Sequence, residues 1–437
     1  MKRVSKYALY FALTAFAVPA FVSAQTADKP KKEEKAKKDK KDKNAEAAKP
    51  QGQFSKEFIA AYTPTNDAYE KAKDYPKAKS LVPALLAAAK SDDEKVQAGR
   101  LTFLIGAQVQ DIPIQKQGID LALSSATVPT PIKSVFVFQR GAFASSEKNY
   151  AAAIPDFLAA YNDGYRGNNV EWLIGNAYQQ QNNNAEAMSW YLKMVDAARA
   201  KNALPDRAVL SRALELSGKM KDVAQVAYWG KESIRAYPEP KVYRDATIFY
   251  DRTAQLEGQE SLDLMRLARL NKGLVLESDF RNFVEAANPL RYPAEAIAVI
   301  NEGLAAGIIQ KTNSFFIEQL NAANQADAAL RTGWDQDEKA ALAAAKGMQP
   351  SLFGDTMLSY NEYARAQRLY EAALAKGGVI DNERKDQSER TRLRLGIAKA
   401  MQGNIAGAKA DFAAVSEPRR KVIAEYWLIY LDQKPAV

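Results

Sequence analysis

Histidine and cysteine are both absent from the 437 residues. Without them there is no imidazole general base, no thiolate nucleophile, no Cys/His zinc site and no disulfide. Carboxylate chemistry and oxygen-only metal sites remain open. Strand-like alternation with hairpin turns is scarce. Concentrated positive charge is scarce too, once it is located. The whole chain carries +9; Lys2, Arg3 and Lys6 hold +3, residues 29–50 hold +5 and Asp28 offsets one, so residues 51–437 carry +2. A body so nearly neutral argues against a dedicated nucleic-acid surface, which needs clustered cations to meet phosphates.

The first 24 residues, "MKRVSKYALYFALTAFAVPAFVSA", have a basic start, a mostly apolar run from Tyr7 to Val18, then Pro19 and the small-residue end Val22-Ser23-Ala24. The run is too short for a membrane span, which needs about 20 apolar residues. The expectation is a secretory signal peptide cleaved after Ala24, delivering a secreted, periplasmic protein. No twin Arg points away from the general route, and no Cys follows to carry a lipid anchor. Residues 25–52 are a charged linker. "KPKKEEKAKKDKKDKNAEAAKP" (29–50) has no aromatic or branched aliphatic residue to bury, so it predicts disorder. It reads either as a spacer reaching on the order of 25 Å or as a basic arm contacting anionic lipid or cell-wall polymer.

The remainder, 53–437, repeats. Gly175 is followed by Ala187 and Tyr191 at offsets 12 and 16. Gly141 with Ala153 and Phe157, Gly354 with Ala366 and Tyr370, and Gly396 with Ala408 and Phe412 repeat the same offsets. The pattern predicts helix pairs: Gly and the small residue allow close approach, and the aromatic fills the space between units. Ile154, Phe157, Leu158, Tyr161 and Met188, Tyr191, Leu192, Val195 form stripes at helical spacing. The small residues make a ladder: Ala78, Gly118, Ala153, Ala187, Ala224, Ser261, Ala296, Ala366 and Ala408. The gap between the last pair but one predicts a degenerate repeat in 312–346, two helices broken at Thr332-Gly333.

Leu173, Gly175, Tyr178, Ala187 and Tyr191, with Trp172 one position late, and Leu395, Gly396, Ala408, Phe412 and Pro418 resemble the tetratricopeptide repeat (TPR) family. The resemblance implies an all-α, right-handed solenoid of about nine or ten helix pairs, whose concave face binds ligands through set first-helix positions. Carried onto this chain, these are Asn169, Trp172, Asn176, Gln179 and Gln180; Val135, Phe138 and Ser145; and Arg100, Phe103 and Gln110. Aromatics among amides suit an extended peptide. The alternative is that Phe103, Phe138 and Trp172 pack between neighbouring first helices.

Enzyme signatures are weak. Ser145-Ser146-Glu147-Lys148 matches Ser-x-x-Lys without its companion elements. Gly347-Met348-Gln349 lacks a nearby Glu-Ser, the closest being Glu277-Ser278. Asp335, Asp337 and Glu338 read as a hard-cation set or as charges favourable at a helix N-terminus. Arg390, Arg392, Arg394, Arg419, Arg420 and Lys421 read as a receptor for an acidic partner or as a solvated face. The sequence therefore points to a non-catalytic scaffold without cofactor or metal. It would bind a protein or peptide partner, an envelope protein, with no nucleic acid. A polysaccharide-acting enzyme or binder and a self-assembling solenoid are the competing readings.

Overall fold

The computed structural model describes residues 54–434; the leader and linker expected over 1–52 lie outside them. Twenty-one α-helices run in order, and among the described residues there is no strand, only an isolated bridge between Ile380 and Asp386. The first four pairs are α1/α2 (Lys56–Asn66, Tyr75–Ala88), α3/α4 (Asp92–Gln108, Ile112–Leu123), α5/α6 (Thr130–Ser146, Tyr150–Asn162) and α7/α8 (Val170–Gln180, Asn184–Ala200). The middle pairs are α9/α10 (Arg207–Lys219, Val223–Ala236), α11/α12 (Pro240–Ala254, Gly258–Leu270) and α13/α14 (Glu277–Ala287, Pro293–Ala305). Then come α15 (Ser314–Leu330), α16 (Trp334–Ala343), α17/α18 (Met348–Ser359, Tyr363–Lys376), α19/α20 (Ser388–Met401, Ile405–Ala413) and a last helix, α21 (Pro418–Asp432). This is an all-α solenoid.

Polar caps start many second helices. Asp74, Asp111, Asn149, Asn183, Asp222 and Asn404 each accept a backbone N–H from the first turn of the helix they precede. Four residues after the cap comes the buried small residue, as at Ala78, Ala153, Ala187 and Ala408. Two ladder positions need correction. Ala224 is exposed, and the residue four past Asp222 is the buried Val226. Gly118 falls seven past Asp111, where it lies against the Phe103 backbone and Gly99. Gly118 still admits no side chain, since a Cβ there would lie 2.5 Å from the Phe103 N and 2.6 Å from the Gly99 O. The early glycine allows the close approach that the pattern predicts. A Cβ on Gly175, Gly354 or Gly396 would lie 2.9, 2.7 or 2.6 Å from the ring of Tyr191, Tyr370 or Phe412. The aromatic thus packs onto the preceding helix of its own pair as well as between units, where Phe412 stacks on Trp427 of α21 at 5.8 Å.

The N-terminal end is tied down by one carboxylate. Glu94 on α3, almost wholly buried, accepts from the Ser55 N–H and hydroxyl, both at 2.7 Å, and from the Lys90 and Ser91 N–H groups at 2.8 and 2.9 Å. Burial alone would raise its pKa; the four hydrogen bonds outweigh it and hold it at about 2.

The degenerate repeat is where pairing lapses. Gly333, at φ 81°, caps α16. α15 packs on α14, and α16 on α17 and α18, rather than chiefly on each other. Only Phe316 and Ala323 of α15 are buried. Beyond it the chain folds back on its middle. α21 lies against α10 and α12 as well as α19. Its buried residues (Ile423, Ala424, Tyr426, Trp427, Ile429 and Leu431) surround it, as befits a helix enclosed by others. α12, too, buries every residue from Glu260 to Leu264 and from Arg266 to Ala268. One hydrophobic core therefore runs from Ala187 to Leu431. The α21 seat is polar at its edges: Lys231 Nζ–Glu425 2.5 Å, Gln433 Nε2 donating to Ile234 O at 2.8 Å, and Trp427 Nε1 donating to Asp263 O at 3.2 Å.

Two outcomes follow from this packing. The Tyr426 hydroxyl is buried without a partner and presses on Gly230 of α10, where any Cβ would overlap it. Gly230→Ala should destabilise the chain by about 1–3 kcal/mol, and adding Tyr426→Phe should restore most of that in a double-mutant cycle of denaturant unfolding. Glu94 has a lowered folded-state pKa, so its contribution is complete above its ordinary value of 4.5 and fades as the pH falls toward about 2. Glu94→Gln should cost about 1–3 kcal/mol at neutral pH, and the gap to wild type should close in acid. A gap that persists near pH ~2 contradicts this assignment.

Candidate functional site

The first-helix positions divide sharply in the structure. Phe103 and Phe138 are buried, 7% and 1% exposed. Phe103 meets Phe136 edge-on at 5.5 Å, and Phe138 stacks on Tyr165 at 4.5 Å. Both are core, so the alternative of packing between helices is the one realised, and neither can touch a ligand. Gln110 is exposed but sits in the α3–α4 turn with φ 53°, off the helix that should present it. Asn169, at φ 53°, caps α7 without a side-chain bond. Arg100, Val135 and Ser145 are half-buried on α3 and α5.

The α7 group is different. Trp172, Asn176 and Gln179 are half-buried and Gln180 is exposed. Spacings of three and four put them on one helix face. Trp172 lies tilted 5.6 Å from the Tyr191 ring, and the Tyr191 hydroxyl donates to Gln179 Oε1 at 3.0 Å. Burial pushes the Tyr191 pKa up to about 12, so it remains a donor. Gln179 and Trp172 are therefore held in place by α8, while Asn176 and Gln180 stay available beside them.

Of the C-terminal basic residues, Arg390 and Arg394 are buried and form neither a receptor face nor a solvated one, whereas Arg419 and Lys421 are exposed. Arg394, wholly buried, reaches Asp263 Oδ1 on α12 at 2.9 Å and Asp355 Oδ1 on α17 at 2.8 Å. It also donates to Gln259 Oε1 at 2.8 Å and the Tyr292 hydroxyl at 3.2 Å. Arg266 joins the same Asp263 at 2.6 Å and holds Glu295 with two bonds at 2.8 and 2.7 Å. Arg390 Nη2 stands 3.5 Å from Asp355 Oδ2. Arg419 and Arg420 pair with Glu260 at 3.5 and 3.3 Å. Burial would raise the Asp355 pKa, but Arg394, Arg390 and the Tyr370 hydroxyl hold it far below the carboxylate range.

The remaining candidates are occupied structurally. Ser146 donates to Phe143 O at 2.7 Å, and Lys148 sits in the turn at φ 61°. Asp335 pairs with Arg365, and Glu338 with Arg365 and Arg368; among the described residues no acidic group is arranged to hold a metal ion. An open cavity of about 710 Å³ lies between α9 and α10, lined by Leu204, Arg207, Ser211 and Tyr237.

No protein-family model matches the chain, and no curated protein matches it. Among solved structures it is similar to the Naa15/Naa10 complex bound to HypK-THB, at 11% identity and TM-score 0.29, covering 84% of this chain and 63% of that one. It is similar to the TPR domain of P58(IPK), at 10% identity and TM-score 0.21, covering 86% and 99%. Yeast Tom70 follows at 11% identity and TM-score 0.21, covering 86% and 96%. Likeness at this level transfers no site and no activity, and the helix pairing stands on the chain's own geometry.

Removing Arg394 tests the buried network. Arg394→Met removes the one guanidinium shared by Asp263 and Asp355 and strips Gln259 and Tyr292 of the same donor, and should cost about 3–5 kcal/mol in denaturant unfolding. Arg394→Lys should recover little, because an ammonium cannot span both carboxylates as the guanidinium fork does.

Proposed function

We propose that the chain is a non-catalytic, secreted scaffold that binds an extended segment of a protein partner along the α7 face. The observation that carries this reading is the α7 group: an aromatic, Trp172, and three amides on one helix face, with Trp172 and Gln179 held by Tyr191. Amides exchange hydrogen bonds with a peptide backbone, and the ring offers apolar area to a side chain. Pre-fixed side chains lose little entropy on binding. The leader expected over residues 1–24 supports placement in the periplasm, and an envelope protein as partner. The lysine-rich 29–50 would act as the spacer that carries the body clear of a surface. What weighs against carboxylate catalysis is the state of the buried acids: Asp263, Glu295 and Asp355 are each bonded to arginine.

The test separates binding from folding. Asn176→Ala with Gln180→Ala should leave the unfolding midpoint near wild type and lower capture of partner from envelope extract at least about tenfold, the scale of losing two interfacial hydrogen bonds. Trp172→Ala should lower both, because the ring also packs on Tyr191. Equal capture by the double variant and wild type removes the α7 assignment.

A further inference from the structure

The arginine–carboxylate network is one negative charge short. Asp263, Glu295 and Asp355 face Arg266, Arg394, Arg390 and Arg291, all joined through contacts of 4 Å or less. Arg266 and Arg394 spend their donors on carboxylates, Gln259 and Tyr292. Arg390 does not. It is 5% exposed, and its Nε and Nη2 are buried with no hydrogen-bond partner. A buried ionic donor left unbonded is costly, and native structures rarely keep one without a reason.

Arg291 stands beside it. Its Nη2 is 3.9 Å from Asp355 Oδ2, the same oxygen that Arg390 Nη2 approaches at 3.5 Å. Its side chain is 39% exposed, so this guanidinium joins the buried group to solvent. Asp355 meets Arg394 at 2.8 Å and the Tyr370 hydroxyl at 2.9 Å through Oδ1, while the Oδ2 that the two arginines approach accepts from the Tyr292 hydroxyl at 3.4 Å. Two guanidinium groups thus converge on one carboxylate from the α13–α14 turn and the first turn of α19, and neither makes a hydrogen bond to it. Paired planar forks with free donors are the arrangement that grips an oxyanion.

We propose that Arg291 and Arg390 form a binding site for a single oxyanion, such as phosphate or the carboxylate of an acidic side chain, which supplies the missing negative charge. The anion enters past Arg291 and takes up the unused donors of Arg390. It thereby ties the α13–α14 turn to α19, and a bound anion stabilises the closed C-terminal half. The site shares no residue with the α7 face, so its test stands apart from partner binding.

The test is thermal unfolding of the full chain at constant ionic strength, titrated with inorganic phosphate, with acetate, or with a short Glu-containing peptide, against chloride. A saturable rise in midpoint in one oxyanion arm, absent with chloride, is expected. The arm giving the tighter half-saturation identifies a free anion or a peptide carboxylate as the ligand. Arg291→Gln, at an exposed position, should fold normally and weaken half-saturation at least about tenfold, the scale of losing one charge-assisted bidentate contact. Arg291→Lys, which keeps charge but loses the fork, should fall between. No saturable rise in any oxyanion arm overturns the proposal, and so does a rise of equal size and affinity in Arg291→Gln.

Discussion

A single guanidinium with no solvent contact holds the second half of this chain in register. Arg394 sits on α19 and bonds carboxylates on α12 and α17 at once. A charge removed from water is tolerated only when its counter-charges are close and its remaining donors are met. That requirement fixes three helices, and two hydroxyls and an amide, around one point. Once α12 and α19 are joined there, the seat for α21 exists, and Trp427 can donate to the carbonyl of the same Asp263. The polar centre defines which helices meet; the apolar core from Ala187 to Leu431 supplies most of the stabilising area.

This closure divides the labour along the solenoid. From α1 to α8 each pair rests mainly on its sequence neighbours, as stacked repeats do. From α10 onward, residues nearly two hundred apart touch, as Lys231 and Glu425 do. The outer side of α12, which a simple stack would leave wet, is covered. A partner-binding face is therefore better sought where the stack stays simple, and α7 lies there with its aromatic and amides half open.

Much of the fold was legible because its signals are local. Caps such as Asn149 and Asn183, and the Gly–aromatic pairs such as Gly175 and Tyr191, act within one helix pair and recur with it. Six consecutive amides, Gln179 to Asn184, likewise form a local feature, the end of α7 and the turn into α8, with Asn182 at φ 60°. The site was less legible because the family's first-helix positions say which way a side chain faces only if neighbouring pairs stack regularly. Phe103 and Phe138 were drawn into the core by Phe136 and Tyr165, which no single-repeat pattern announces. The long-range closure was invisible for the same reason: Arg394 looks like part of a basic stretch until Asp263, more than a hundred residues away, is placed beside it.

Native-state hydrogen exchange tests the central claim most directly, comparing the amides of α10, α12 and α21. If Arg394 and the shared core make the closed half one cooperative unit, these helices exchange through a common opening of the same free energy, with α1–α4 opening at lower cost. Exchange of α21 at a distinctly lower free energy than α10 and α12 would contradict it, showing a docked tail rather than the closing element of the fold.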